Sequence, residues 1–200
     1  MAEHMDPTIS KRFPVIDTED LPDDLRSRVE EIGEKSGFIP NVFRAVSRRP
    51  AEMRAFFDYH DSLMDRETPG LSKAEREMIV VATSAANSCL YCVIAHGAIA
   101  RIRAKNPRIA DQLANDWRKA ELDERQYAII EVAMKLAVTP AEIVDDDLDK
   151  LRRHGLTEED VYDVGSIVAF FAMSNRLAHW GGMMPNHEFY LMGRQPKEKK

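Results

Sequence analysis

The sequence predicts an all-α fold, a multi-helix bundle built as a single domain. Three observations carry this. No stretch holds the apolar–polar alternation of a strand over any length, whereas apolar residues recur three and four apart through most of the chain. Two helix starts are written out as capping boxes, Ser72 with Glu75 and Thr157 with Asp160. Prolines stand at the edges of the periodic segments, where they start or stop helices.

Taken in order, residues 1–21 are polar and proline-punctuated and read as an extended arm, with Arg12–Asp17 as its one apolar-bearing piece. The helical domain spans 22–192. Pro22 suits a first helical position, and Leu25, Val29 and Ile32 form a stripe that stops at Gly37. Phe38 and Ile39 lead to Pro40, which opens a short helix through Val42, Phe43 and Val46. Pro50 starts the next helix, with Met53, Phe56, Phe57, His60 and Leu63 or Met64 toward the core, and Thr68-Pro69-Gly70 breaks it. Ser72 opens a helix carrying Glu77, Asn87–Ser88 makes a turn, and a second helix runs to about Lys105. Together, residues 71–105 are the core motif. Arg108–Trp117 is a short surface helix, and Asp123–Val138 is amphipathic through Ile129, Ile130, Val132, Ala133 and Leu136. The run Asp145–Asp147 suits the positive end of a helix dipole and reads as capping, not as a metal site; that helix ends at His154-Gly155. From Thr157 a long apolar helix carries Val161, Val164, Ile167, Val168, Phe170, Phe171 and Leu177 to Gly181-Gly182. Residues 193–200, ending in Lys-Glu-Lys-Lys, are expected to be a mobile tail. A weak internal repeat aligns LSKAEREMIVVA from Leu71 with LDERQYAIIEVA from Leu122; Ala128 stands for Glu77 in the second copy, and no cysteines follow.

Composition narrows the function. At 200 residues the chain fits one domain of ordinary hydrophobic content, 44%. A net charge of −6 argues against nucleic acid as a partner, because phosphate binding needs a basic face. The uncharged run Met78–Ala95 is interrupted by Thr83, Ser84, Asn87 and Ser88, so two buried helices joined by a polar turn explain it better than a membrane span. The N-terminus lacks an apolar segment, so no secretory signal is expected, the location is expected to be cytoplasmic, and reduced thiols are the default.

Chemistry concentrates in Glu77, Cys89, Cys92 and His96, spaced E-x11-C-x2-C-x3-H, and the two cysteines are the only two in the chain. On a helix, Cys89, Cys92 and His96 share a stripe. Asn87 or Ser88 can cap that helix, which sets Cys89 in its first turn, where the dipole favours a thiolate. Glu77 precedes the turn among apolar neighbours, a setting that raises a carboxyl pKa and suits proton transfer near neutrality. Three plainer readings compete: a zinc site with Glu77 as fourth ligand, a structural disulfide, and small core residues with a satisfied histidine. Structural zinc sites more often combine two thiolate-rich pairs, short C-x2-C pairs in reduced compartments are seldom structural, and coincidence fits each residue singly but not all four. No metal is expected. His60, beside aromatic residues on its helix, is a candidate for the substrate pocket, with a packing histidine as the alternative. His179 is read as serving the C-terminus of its helix.

With these residues the stretch resembles the alkylhydroperoxidase D (AhpD)-like core of the carboxymuconolactone decarboxylase superfamily, in its peroxidase-related branch. Glu77, Asn87, Cys89, Tyr91, Cys92 and His96 carry the resemblance, and weaker similarity runs from about Phe38 to Gly182, including GFIPNVFRA and MSNRLAHWGG. The resemblance implies a peroxide-attacking thiol at Cys92, a resolving thiol at Cys89, and a proton relay through His96 and Glu77. It also implies a hydroperoxide substrate, an external dithiol of dihydrolipoyl type as reductant, no further cofactor, and a homo-oligomer, trimer or hexamer. One position departs: the best-known members carry a second histidine just before the second cysteine, and Tyr91 stands there, a further pocket candidate. The competing functions are a dithiol–disulfide reductant for a partner protein, a non-redox lyase as in the decarboxylase arm, which the cysteine pair weighs against, and a zinc-stabilised interaction domain.

Overall fold

The computed structural model describes residues 3–194, so the tail beyond Arg194 lies outside the described residues. Ten α-helices account for most of them: α1 Asp23–Ser36, α2 Asn41–Ala45, α3 Pro50–Met64, α4 Lys73–Ala86, α5 Leu90–Ala104, α6 Ile109–Asp116, α7 Glu124–Val138, α8 Asp145–Arg153, α9 Glu158–Gly181 and α10 Glu188–Leu191. The all-α expectation holds, and so do the signals that framed it. Ser72–Glu75, Asp123–Gln126 and Thr157–Asp160 all close as reciprocal capping boxes. Gly37 and Gly182 take left-handed conformations at the ends of α1 and α9, with φ of 81° and 65°.

One departure from a purely helical chain sits in the arm. Glu3–His4 pairs antiparallel with Val15–Ile16, Glu3 opposite Ile16 and His4 opposite Val15. Two residues per strand are too few for alternation to register in a sequence. The arm is docked: Ile9, Val15, Ile16 and Leu21 are buried, and the Ser47 hydroxyl accepts a bond from Ile16 N–H at 3.0 Å.

The core is organised around α4, which packs against α5, α6, α7 and α9 and is buried without interruption from Glu75 to Ser84. α7, whose sequence aligns with that of α4, lies against it and places Ala128 in its own buried stripe. A smaller cluster joins α1, α2 and α3 through Val29, Phe43, Met53 and Phe57, with Phe43 and Phe57 stacked 4.1 Å apart. Among the described residues no helix is long and apolar enough to cross a membrane.

Burial of α4 includes three consecutive charges. The Glu75 carboxylate accepts from Arg125 of α7. Arg76, fully buried, donates to the Leu63 carbonyl at 2.8 Å and to Asp163 of α9 at 2.6 Å. Glu77 turns to α5. Removing one member of a buried pair strands the other charge, so Asp163→Ala should cost about 3–5 kcal/mol in urea unfolding. Arg76→Met combined with it should recover most of that loss, since the stranded cation is gone; a double variant no more stable than Asp163→Ala would contradict this account.

Candidate active site

The α4–α5 turn builds the site. Asn87 ends α4, and Ser88 takes a left-handed conformation with φ of 53°. The chain thereby reverses in two residues, and the first helical residue of α5 is Leu90. Cys89 is therefore the N-cap itself and not a first-turn residue, which corrects the expectation that Asn87 or Ser88 would cap. Its sulfur does the capping, accepting the Cys92 backbone N–H at 3.4 Å.

Cys89 and Cys92 are free thiols, 2% and 1% exposed, with sulfurs 2.8 Å apart. One proton serves the close contact, and its lower-energy position is on Cys92. The Cys92 S–H bond, reinforced by the Cys92 backbone N–H and by the nearby charge of His179, outweighs burial and lowers the Cys89 pKa to about 7. Cys92 moves the other way, raised by its bond to Cys89 and by burial, and is held back only by Asn175 and Ser174. The resting charge thus sits on Cys89, whereas the resemblance assigns the attacking role to Cys92.

The second wall comes from α9, and sequence reasoning missed most of it. Asn175 donates to Ser84 Oγ at 3.0 Å and accepts from Asn87 Nδ2 at 3.1 Å, tying α9 to the end of α4 beside the dithiol. His179, one turn further on, hydrogen-bonds through Nε2 to the Asn87 carbonyl at 2.8 Å. It serves the α4–α5 turn and not the end of its own helix, because α9 runs directly across that turn. The i, i+4 spacing of Asn175 and His179 was the available signal.

Glu77 and His96 meet as expected: His96 Nδ1–H donates to Glu77 Oε2 at 2.8 Å. That bond fixes the tautomer and leaves Nε2 as the atom for proton exchange. An unforeseen third member is Arg103, 3.5 Å from Glu77 Oε1, two turns beyond His96 on α5. Glu77 is thus a paired carboxylate, not one surrounded by apolar groups alone. No hydrogen bond links His96 to either sulfur among the described residues; His96 follows Cys92 by one turn, with its ring against Phe171 at 4.7 Å.

His60 lies close by on α3. Its ring centroid is 6.3 Å from that of His96, and its Nδ1 bonds Asp61 Oδ1 at 2.9 Å. Burial works against the Asp61 charge, but His60 and Arg28 outweigh it and keep that carboxyl below its usual range. Tyr91 is buried, which raises its pKa, and its hydroxyl accepts from Val42 N–H at 3.1 Å. Its visible task is to hold the first turn of α2, and with it the end of the loop that leads there. That loop and the C-terminal segment are fastened together and share the dithiol's apolar cluster: Phe38 meets Phe189 edge-on at 5.0 Å, Asn186 bonds Asn41 N–H and the Ile39 carbonyl, and buried Arg101 holds the carbonyls of Phe189 and Met192. No cluster of three or more His, Cys, Asp or Glu side chains is gathered for a metal ion among the described residues. A cavity of about 1030 Å³ opens elsewhere, between the arm, α3 and α9, and none of the four motif residues lines it.

Comparison with known proteins identifies the family and the fold. Residues 50–113 match the carboxymuconolactone decarboxylase family. The fold superimposes, with a TM-score of 0.91, on an uncharacterized peroxidase-related protein from Ralstonia eutropha JMP134 described as an alkylhydroperoxidase AhpD core; identity is 53% over 94% of this chain and 98% of that one. An uncharacterized peroxidase-related protein from Silicibacter sp. TM1040 is 36% identical over 97% of this chain and all of that one, with a TM-score of 0.85. A debrominase whose structure contains 2,3,4-tribromopyrrole shares the fold at 17% identity and a TM-score of 0.73, covering 94% of this chain and 96% of that one. No curated protein matches the sequence. The chain belongs to the carboxymuconolactone decarboxylase superfamily, in its AhpD-like, peroxidase-related group.

The dithiol geometry has a pH signature. Thiolate absorbance of the reduced protein should rise as pH passes through about 7, the Cys89 value. Cys92→Ala removes the S–H donor that contributes most to that value, so its midpoint should move upward, toward the ~8.5 of a free thiol. A midpoint at or below that of the unaltered protein would show that the S–H bond is not what stabilises the charge.

Proposed function

We propose that the protein is a thiol-dependent peroxidase that reduces hydroperoxides through Cys89 and Cys92, with His96 and Glu77 moving the proton. The observation that carries this is the pairing itself: two free, buried thiols 2.8 Å apart, one turn from a histidine whose Nδ1 is held by a buried carboxylate. Attack is assigned to Cys92. The resting charge on Cys89 does not decide the attacking sulfur, because the shared proton has only a short contact to cross. What decides it is the acid, and His96 stands one turn beyond Cys92 on α5.

In this reading the Cys92 thiolate attacks one peroxide oxygen, the O–O bond breaks, and Cys92 becomes a sulfenic acid. The departing alkoxide takes a proton from His96 Nε2 and leaves as alcohol. Cys89 then attacks the Cys92 sulfur, expelling water and closing the disulfide. An external dithiol, of dihydrolipoyl type, returns both thiols by exchange, and no other cofactor enters. Glu77 orients His96 and stabilises the imidazolium, and Arg103 stabilises the Glu77 carboxylate in turn. The competing reading, a dithiol reductant for a partner protein, is less well supported, because both cysteines are almost fully buried, in one apolar cluster with Phe189, while a small peroxide needs little access. The likeness to the debrominase concerns the fold alone.

Reduced protein should titrate two thiols per chain, and one equivalent of organic hydroperoxide should remove both; retention of both after peroxide would end the peroxidase reading. Cys92→Ser should abolish peroxide consumption, and Cys89→Ser should react once and stop at a trappable sulfenic acid. The reverse pattern would move the attack to Cys89. Glu77→Gln should lower the rate by about 10²–10⁴-fold, the range for a positioned acid–base group. His96→Ala should match it, and the double variant should be little worse than either single, because groups acting as a unit are not additive. Additive losses would place Glu77 outside the relay.

A further inference from the structure

Two histidine–carboxylate pairs face each other in this site, and the mechanism above uses only one. Glu77 holds Nδ1 of His96 at 2.8 Å, and Asp61 holds Nδ1 of His60 at 2.9 Å. Each carboxylate therefore orients its ring the same way and leaves Nε2 as the exchanging nitrogen. The ring centroids lie 6.3 Å apart at 48°, and among the described residues no hydrogen bond joins the rings directly, so a proton passing between them needs a water as carrier. Phe171 packs against both rings, and Phe170 closes on His60 alone at 6.0 Å. Side-chain exposure climbs along the series, from 3% for Glu77 to 12% for His96, 27% for His60 and 41% for Asp61. The series runs from the buried dithiol side to solvent.

Proton balance gives that series a task. A turnover that begins with one thiolate and one thiol has a single proton between the two sulfurs. The Cys92 thiolate brings none to its attack, and the one then on Cys89 leaves in the water when the disulfide closes. The alkoxide must then receive its proton from His96, which has to be reloaded from outside. When the dithiol reductant, itself bearing two protons, restores one thiol and one thiolate, the surplus proton must leave again. With both sulfurs and Glu77 buried, that exchange needs a path.

We propose that His60, held by Asp61, is this path: a second proton-carrying group that exchanges protons between the His96–Glu77 pair and solvent. The inference rests on the peroxidase reading for its purpose, but its first test does not. The charged and titratable groups around His60 are Asp61 and Asp58 on α3, Arg28 on α1, and across the rings His96 with Glu77 and Arg103. A histidine that merely packs between Phe57 and Phe170 would tolerate glutamine, which has similar size and polarity but carries no proton.

The first measurement is solvent exchange of the His96 ring N–H, followed by imidazole nitrogen NMR on the reduced full-length protein. In His60→Gln, with helical content and unfolding midpoint unchanged, exchange should slow by roughly 10-fold or more, as expected when a positioned acid–base group is lost. Unchanged exchange would overturn the inference. Slowed exchange in a protein that does not consume hydroperoxide would leave the proton path standing and remove the peroxidase reading. The second measurement is hydroperoxide-dependent disulfide formation in His60→Ala. The rate should fall about 10²-fold and recover on addition of free imidazole, which enters the half-exposed space. A loss that imidazole does not restore, with exchange at His96 unaltered, would assign His60 to packing.

Discussion

Three consecutive charged residues at the start of α4 are all buried, and each is paired with an opposite charge on a different helix. Glu75 is met by Arg125 of α7, Arg76 by Asp163 of α9, and Glu77 by His96 and Arg103 of α5. A charge taken out of water is tolerated only when paired and hydrogen-bonded. The three residues therefore fix three helices around a fourth, and the third of these structural obligations also belongs to the proposed relay. A carboxylate placed to satisfy a packing requirement is, by the same bond, placed to orient a histidine.

The dithiol is assembled by a different economy. A two-residue reversal at Asn87–Ser88 leaves no conventional cap for α5, and a sulfur takes that place. The backbone donor that a serine or aspartate would have used for stability instead stabilises negative charge on Cys89. α9 then closes the other side, and Asn175 touches the end of α4, the turn and Cys92 at once. One strand of polar contacts thus joins elements that are far apart in the chain.

Local order was legible, and cross-chain order was not. Capping boxes, proline starts and glycine stops are written within four residues of where they act, so helix positions could be read directly. Glu77, Cys89, Cys92 and His96 were legible because two adjoining helices hold them all at helical spacing. Arg103, Ser174, Asn175 and His179 were not, because their importance depends on which helix crosses which turn, and periodicity describes faces without saying what lies opposite. The paired strands of the arm failed for a simpler reason: two residues have no period. His60 falls between these cases, since its helix face was readable but its partner across the gap was not.

The burial of the dithiol has a kinetic meaning. Phe38, Phe189 and Met192 pack in one apolar cluster with two cysteines that have almost no accessible surface, and that cover is fastened by a few identifiable bonds, from Asn186 to the Asn41 loop and from Arg101 to the carbonyls of Phe189 and Met192. A reagent too large to pass reacts only with molecules in which those bonds are open, so its rate is the intrinsic rate multiplied by the open fraction. Thiol labelling in this protein is therefore also a gauge of local stability. Comparing a bulky reagent with a small one separates the two quantities, how reactive the sulfur is and how often the chain lets it be reached.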